Sequence, residues 1–307
     1  MIRDAWDHVS RISAKAPSGC IKKDYAMSIF QALILGIVQG LTEYIPVSST
    51  AHLILVPWLL GWNFSQETKF VFDVLVQWGT LVGVLIYFWR DILAILRAVV
   101  NGLLRRQPFG TLEARIGWLV VIATIPAVIA GVLFKKYIEQ LYSLYIVIAI
   151  VLILGGFLMM AAERWGKRQR AVGKMTVMDS IVIGLWQVLA MIPGVSRSSA
   201  TISGAMLRDF TREDAARFSF LMSIPALLGA GVVALKDLFE VQGLLASLAA
   251  PLAVGFIAAA ISGYLSIRWL LGYLKSRPLN RFIFYRFAFG ALCIIVILLG
   301  LRPAVGS

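Results

Sequence analysis

Apolar residues run along the chain in long blocks, near 69–89, 116–134, 143–162, 218–235, 252–271 and 282–301. Each approaches the roughly 20 residues that cross a bilayer as a helix. Pro126 is expected to kink the second of them. Two further apolar stretches, Ser28 to Leu60 and Ile181 to Leu207, are interrupted in the middle by proline, glycine and hydroxylated residues. Each half is too short to cross. A break at membrane depth is tolerated only where it is buried in protein or faces water, so each stretch is expected to be a re-entrant pair of short helices, the first meeting at Pro46. The pattern predicts an all-α, polytopic integral membrane protein with about six full transmembrane helices plus two re-entrant helical hairpins.

Basic residues sort the loops. Arg90, Arg97, Arg105, Arg106 and Arg115 fall in one, Arg164, Lys167, Arg168, Arg170 and Lys174 in another, and Lys275, Arg277 and Arg281 in a third, whereas 135–142 and 236–250 are poor in positive charge. The loops at 90–115, 163–180 and 272–281 are therefore placed inside, with the C-terminus outside. The first hairpin then opens outward and the second inward. Gln39 and Gln187, Phe70 and Phe218, Phe72 and Phe220, and Gly83 and Gly231 are each 148 positions apart. Ile45-Pro46-Val47-Ser48 likewise answers Ile192-Pro193-Gly194-Val195-Ser196. An odd number of spans between the copies makes this an inverted repeat, about 27–165 and 176–307, within one membrane domain, 27–307. Residues 1–26 are polar and mixed in charge, without the apolar core of a signal peptide, and are expected to be dispensable or absent from the native product.

Composition sharpens the class. The 307 residues are 60% hydrophobic, against roughly 45–50% in soluble domains. A net charge of +13 would suggest nucleic acid, but the Lys and Arg residues gather between apolar blocks and not in a stripe, so no nucleic-acid partner is expected. Cys20 and Cys293 stand far apart and imply neither a disulfide nor zinc.

The chemistry concentrates at the two breaks. In the second, Ser196, Arg197, Ser198 and Thr201 place a guanidinium and hydroxyls at the start of a helix near Ser198, a set suited to phosphate. In the first, Gln39 and Glu43 share a helical face, and Ser48, Ser49, Thr50 and His52 follow the break. If the inverted copies meet, these groups cover the roles of phosphoryl transfer. Ser49 would attack phosphorus, His52 would take its proton or itself be the nucleophile, and Arg197 with Ser48, Ser196, Ser198 and Thr201 would neutralise the phosphate oxygens. Glu43 with Gln39 would hold a divalent cation, Mg or Ca, on the phosphates. Taken singly, Glu43 also suits a structural tie to Arg197, His52 a satisfied core histidine, and Ser48 and Ser49 helix caps. Their coincidence in matching halves favours a site.

The strings Gln39-Gly40-Leu41-Thr42-Glu43-Tyr44-Ile45-Pro46-Val47-Ser48-Ser49-Thr50-Ala51-His52 and Pro193-Gly194-Val195-Ser196-Arg197-Ser198-Ser199-Ala200-Thr201-Ile202-Ser203-Gly204 closely resemble the two signature motifs of the bacterial undecaprenyl-diphosphatases of the BacA type. The resemblance covers essentially everything after Met27 and implies that Glu43, Ser49, His52, Ser196, Arg197 and Thr201 lie in or beside an active site. In that family the first motif reads (Glu/Gln)-x-x-x-Glu. Gln39 stands where many members have Glu, which leaves Glu43 as the main acidic group. The resemblance further implies removal of the terminal phosphate of undecaprenyl diphosphate, recycling a lipid carrier for peptidoglycan synthesis, in the bacterial inner (cytoplasmic) membrane with the site facing the periplasm. The expected partners are the polyprenyl diphosphate and the lipid bilayer, and a homodimer is compatible with the sequence. The alternative is a transporter or flippase of polyprenyl phosphate, since inverted repeats with broken helices also build secondary transporters. The motif of type-2 phosphatidic acid phosphatases does not fit, because Ser203 stands where it needs a histidine.

Overall fold

The computed structural model describes residues 27–240 and 248–305; the N-terminal extension lies outside the described residues. The first hairpin is α1 (Ile29–Tyr44) and α2 (Ser49–Leu60). A capping box between Ser28 and Gln31 opens α1, and Ile45, extended as the residue before a proline tends to be, closes it. Gly61, in the left-handed conformation, ends α2. There follow α3 (Gln66–Tyr87), α4 (Trp89–Leu104), α5 (Leu112–Leu141) and α6 (Tyr145–Trp165). The second hairpin is α7 (Val177–Leu189) and α8 (Arg197–Leu207), followed by α9 (Arg212–Glu240), α10 (Ala249–Leu274) and α11 (Asn280–Leu298).

Six of these helices, α3, α5, α6, α9, α10 and α11, contain stretches long and apolar enough to cross a membrane. They coincide with the six expected spans to within a few residues. One element was not anticipated: α4 occupies most of the expected 90–115 loop. Its apolar residues recur at helical spacing between Arg90, Asp91 and Arg97, so the stretch reads as mixed and not as a block. One side, with Ile95 and Val99, packs on α5 beside Gly117, while Leu93, Leu96, Val100 and Leu103 are exposed. That is the pattern of a helix lying at a membrane interface.

The halves exchange partners reciprocally. In repeat one α1 and α3 pack on α10, and in repeat two α7 and α9 pack on α5, while α6 lies against α11. Gly36 and Gly184, again 148 residues apart, sit at close approaches in these crossings. A Cβ on Gly36 would lie 2.4 Å from Gly255 O, and one on Gly184 would lie 2.5 Å from Ala123 O. Side-chain ties place the basic loops together at one end. Glu163, near the end of α6, accepts from Arg212 at the start of α9 and from the Leu279 amide before α11, and Arg217 donates to Asp91 at 2.9 Å. At the opposite end, Trp58 Nε1 reaches Pro303 O and the Ile146 amide reaches Ala304 O.

Candidate active site

Both breaks turn on a serine whose backbone lies in a region that favours glycine: Ser48 at φ +78° and Ser196 at φ +75°. Such a conformation costs on the order of 1–3 kcal/mol and persists where the surroundings impose it. Its occurrence twice, at the same repeat offset, marks the breaks as built features. Each of these serines is an N-cap: Ser48 Oγ accepts from Ala51 N and Ser196 Oγ from Ser199 N. Ser49 and Arg197 thereby become the first residues of α2 and α8.

These two residues meet on one carboxylate. Glu43, at the end of α1 and 6% exposed, accepts from Ser49 Oγ at 2.6 Å and Gln39 Nε2 at 3.0 Å on Oε2, and from Arg197 Nη2 at 2.8 Å on Oε1. Two helix N-termini, each with first-turn N–H groups that have no partner within the helix, thus converge on one point. Arg197 Nη1 is buried and has no hydrogen-bond partner, so half of the guanidinium fork remains for another ligand.

The other expected residues are arranged differently from one another. His52 is buried, with Nδ1 donating to Ser48 O and Nε2 accepting from Tyr285 Oη, both at 2.7 Å. It stacks on Phe289 at a centroid distance of 4.6 Å. Both ring nitrogens are committed, and the group that touches Ser49 is Glu43, where the sequence had suggested His52. Thr201 Oγ1 is fully buried against Arg197 O and Ser219 Oγ, and Ser198 Oγ donates to Glu43 O at 3.3 Å. Ser48, Ser196, Ser198 and Thr201 therefore shape the breaks, and Ser49, Thr50 and the buried Gln39 line an open space.

That space is a cavity of about 520 Å³, lined by Gln39, Ser49 and Thr50, by Lys69, Asp73 and Gln77 of α3, and by Tyr142, Ser143 and Tyr145 around the α5–α6 turn. Among the described residues no group of three His, Cys, Asp or Glu side chains could hold a metal. Gln39 Oε1, however, is a buried acceptor without a donor.

Sequence reasoning passed over three residues. Arg286 on α11 is fully buried; Nε donates to Leu152 O at 2.9 Å, Nη1 to Pro46 O at 3.3 Å, and Nη2 to Gly194 O at 2.8 Å and Val195 O at 3.1 Å. One guanidinium thus ties both breaks together. Gly155 makes room for it, since a Cβ there would lie 1.9 Å from Nη2. Tyr285, its neighbour, holds His52, and Asp73 lines the cavity. The available signal was a charge inside an expected span, as at Arg286 and Asp73, because charges at membrane depth are costly and usually functional.

A profile of the family described as bacitracin resistance protein BacA matches residues 32–292. A protein of Myxococcus xanthus named undecaprenyl-diphosphatase is 44% identical over 282 residues, covering 91% of this chain and 93% of that protein. Proteins of the same name are 45% identical over 281 residues in Chlorobaculum tepidum, covering 88% and 98%, and 44% identical over 285 residues in Chlorobium limicola, covering 91% and 100%.

Proposed function

The chain belongs to the BacA family, and we propose from that membership and from the site's geometry that it is an undecaprenyl-diphosphatase, hydrolysing the terminal phosphate of undecaprenyl diphosphate to leave undecaprenyl phosphate and inorganic phosphate. The observation that carries the chemistry is the bridge through Glu43: one carboxylate oxygen holds the Ser49 hydroxyl at 2.6 Å and the other holds Arg197 at 2.8 Å. Ser49 Oγ attacks the terminal phosphorus while Glu43 Oε2 takes its proton, and the bond from phosphorus to the bridging oxygen breaks. Arg197 Nη1 and the free amides at the starts of α2 and α8 receive the phosphate oxygens. His52, held by Ser48 O and Tyr285, and Arg286, on the carbonyls of both breaks, keep the two helix starts aligned.

A Mg or Ca ion fits this arrangement modestly. Gln39 Oε1 and a remaining lone pair on Glu43 would be its protein ligands, the diphosphate would supply the rest, and the ion when bound would neutralise substrate charge. The cavity reaches the α5–α6 turn, at the end away from the basic loops, which supports access from the periplasmic face. Transport is not favoured, because the relatives described above are named for a diphosphatase.

The test is phosphate release by purified protein in detergent, where no sidedness exists. Wild type should hydrolyse polyprenyl diphosphate, and Ser49→Ala and Glu43→Gln should each lose at least ~10² in turnover. A Ser49→Ala protein working near the wild-type rate would remove the nucleophile assignment. No hydrolysis by folded wild type would remove the activity itself.

A further inference from the structure

Proton balance in this mechanism leaves a gap that the cavity fills. After Ser49 attacks, Glu43 beside its Oγ holds the serine's proton, and Ser49 needs that proton again when its bond to phosphorus breaks, so Glu43 is spent as the acid of the second step. The phosphoserine must then be attacked by water, which needs a base of its own. His52 does not serve, since its ring nitrogens are bound to Ser48 O and Tyr285. Among the residues lining the cavity beside Ser49, Asp73 is the one carboxylate.

Its setting supports a role in chemistry. Gln66, Lys69, Asp73 and Gln77 follow one another at three- and four-residue steps, so they form one polar face of a membrane-spanning helix, and all four line the cavity. Asp73 is open to that space and makes no hydrogen bond or ion pair within 4.0 Å among the described residues. A fold requirement would be expected to recur in the repeat. The residue 148 positions later is Leu221, and Gln77 is answered by Pro225, although Phe70 and Phe72 keep their counterparts Phe218 and Phe220. Packing therefore asks for no carboxylate at this register. Gln66 and Lys69 are answered by Asp214 and Arg217, so the polar line reaches past the first turns of its helix, to Asp73 and Gln77, only in the half whose break carries the serine on the cavity.

We propose that Asp73 is the base for the second half of the reaction, an inference that rests on Ser49 as the nucleophile. Water in the cavity gives a proton to Asp73 as its oxygen bonds to phosphorus; the Ser49 Oγ–P bond breaks, and Ser49 recovers its proton from Glu43. Inorganic phosphate leaves, and Asp73 passes its proton to cavity water.

The experiment is rapid quench of purified enzyme with polyprenyl diphosphate labelled in the terminal phosphate. Asp73→Asn should release lipid phosphate in a burst near one per enzyme, accumulate labelled phosphoenzyme, and turn over ~10²–10⁴ more slowly, the range for loss of a general base. Asp73→Leu, which copies the residue the other repeat carries, should behave alike and guards against misfolding of the amide variant. Asp73→Glu should recover part of the rate. Turnover near wild type in either variant overturns the proposal, as does slow turnover without phosphoenzyme in variants that fold. The premise is read separately: Ser49→Ala hydrolysing near the wild-type rate removes the covalent intermediate, whatever Asp73 does.

Discussion

At the scale of single residues, Arg197 divides its work between two partners. Nη2 is bound to Glu43 and Nη1 is buried and unpartnered, so the geometry calls for a planar fork that holds the carboxylate with one arm and a phosphate with the other. A lysine keeps the charge but offers a single point, and cannot serve both directions at once. Arg197→Lys should lower turnover by at least ~10², comparable to loss of one transition-state donor, while leaving thermal unfolding near wild type. A rate within a few-fold of wild type would reduce Arg197 to a structural tie. The contacts of this residue were half legible in the sequence. The motif brought Arg197 and Glu43 together, but which oxygen each donor takes, and that Ser48 and Ser196 are spent as caps, depends on backbone angles that no residue pattern states. His52 shows the same limit: its partner, Tyr285, lies 233 residues away on the last helix.

At the scale of elements, the second hairpin is closed at its mouth by Asp179. This carboxylate is fully buried at the third position of α7, and it accepts from Arg170 Nη2 at 2.6 Å, from Arg208 Nε at 2.8 Å just past α8, and from the Thr176 amide at 2.9 Å. Burial alone would raise its pKa, but the hydrogen bonds from Arg170, Thr176 and Arg208 together outweigh burial and hold it below the usual carboxylate range. A folded pKa below the unfolded value of about 3.9 gives stability that is present above that value and lost as pH falls through the lower one. Asp179→Asn should therefore destabilise the protein at pH 7 by ~3 kcal/mol, since it leaves two arginines facing a neutral group. The difference in unfolding temperature from wild type should shrink toward pH 3. A gap that stays constant over that range would mean that the ionised carboxylate is not what closes the hairpin.

At the scale of the molecule, the sequence already carried the architecture, because span length, interrupted segments and loop charge are each set by the bilayer as solvent and need no tertiary information. It missed α4, whose arginines and exposed leucines give a mixed pattern that marks an interface and not a crossing. The reciprocal packing of α1 on α10 and α7 on α5 was likewise out of reach, since it depends on close approaches at Gly36 and Gly184 and not on their spacing alone. What the repeat does imply is an asymmetry of access. Two inverted halves could open a pocket to either side, yet the cavity is lined by α3 and the α5–α6 turn and so opens on the end opposite the basic loops. The proposed orientation, with positive loops inside, makes that end exterior. In a chain with Cys20 and Cys293 replaced by alanine, a cysteine at Ser143 should be labelled by an impermeant maleimide in intact cells, and one at Gly110 only after lysis. Substrate diphosphate should protect Ser143→Cys, because that position lines the cavity. Labelling of the Gly110→Cys protein in intact cells would invert the whole assignment and place the phosphatase site on the cytoplasmic face.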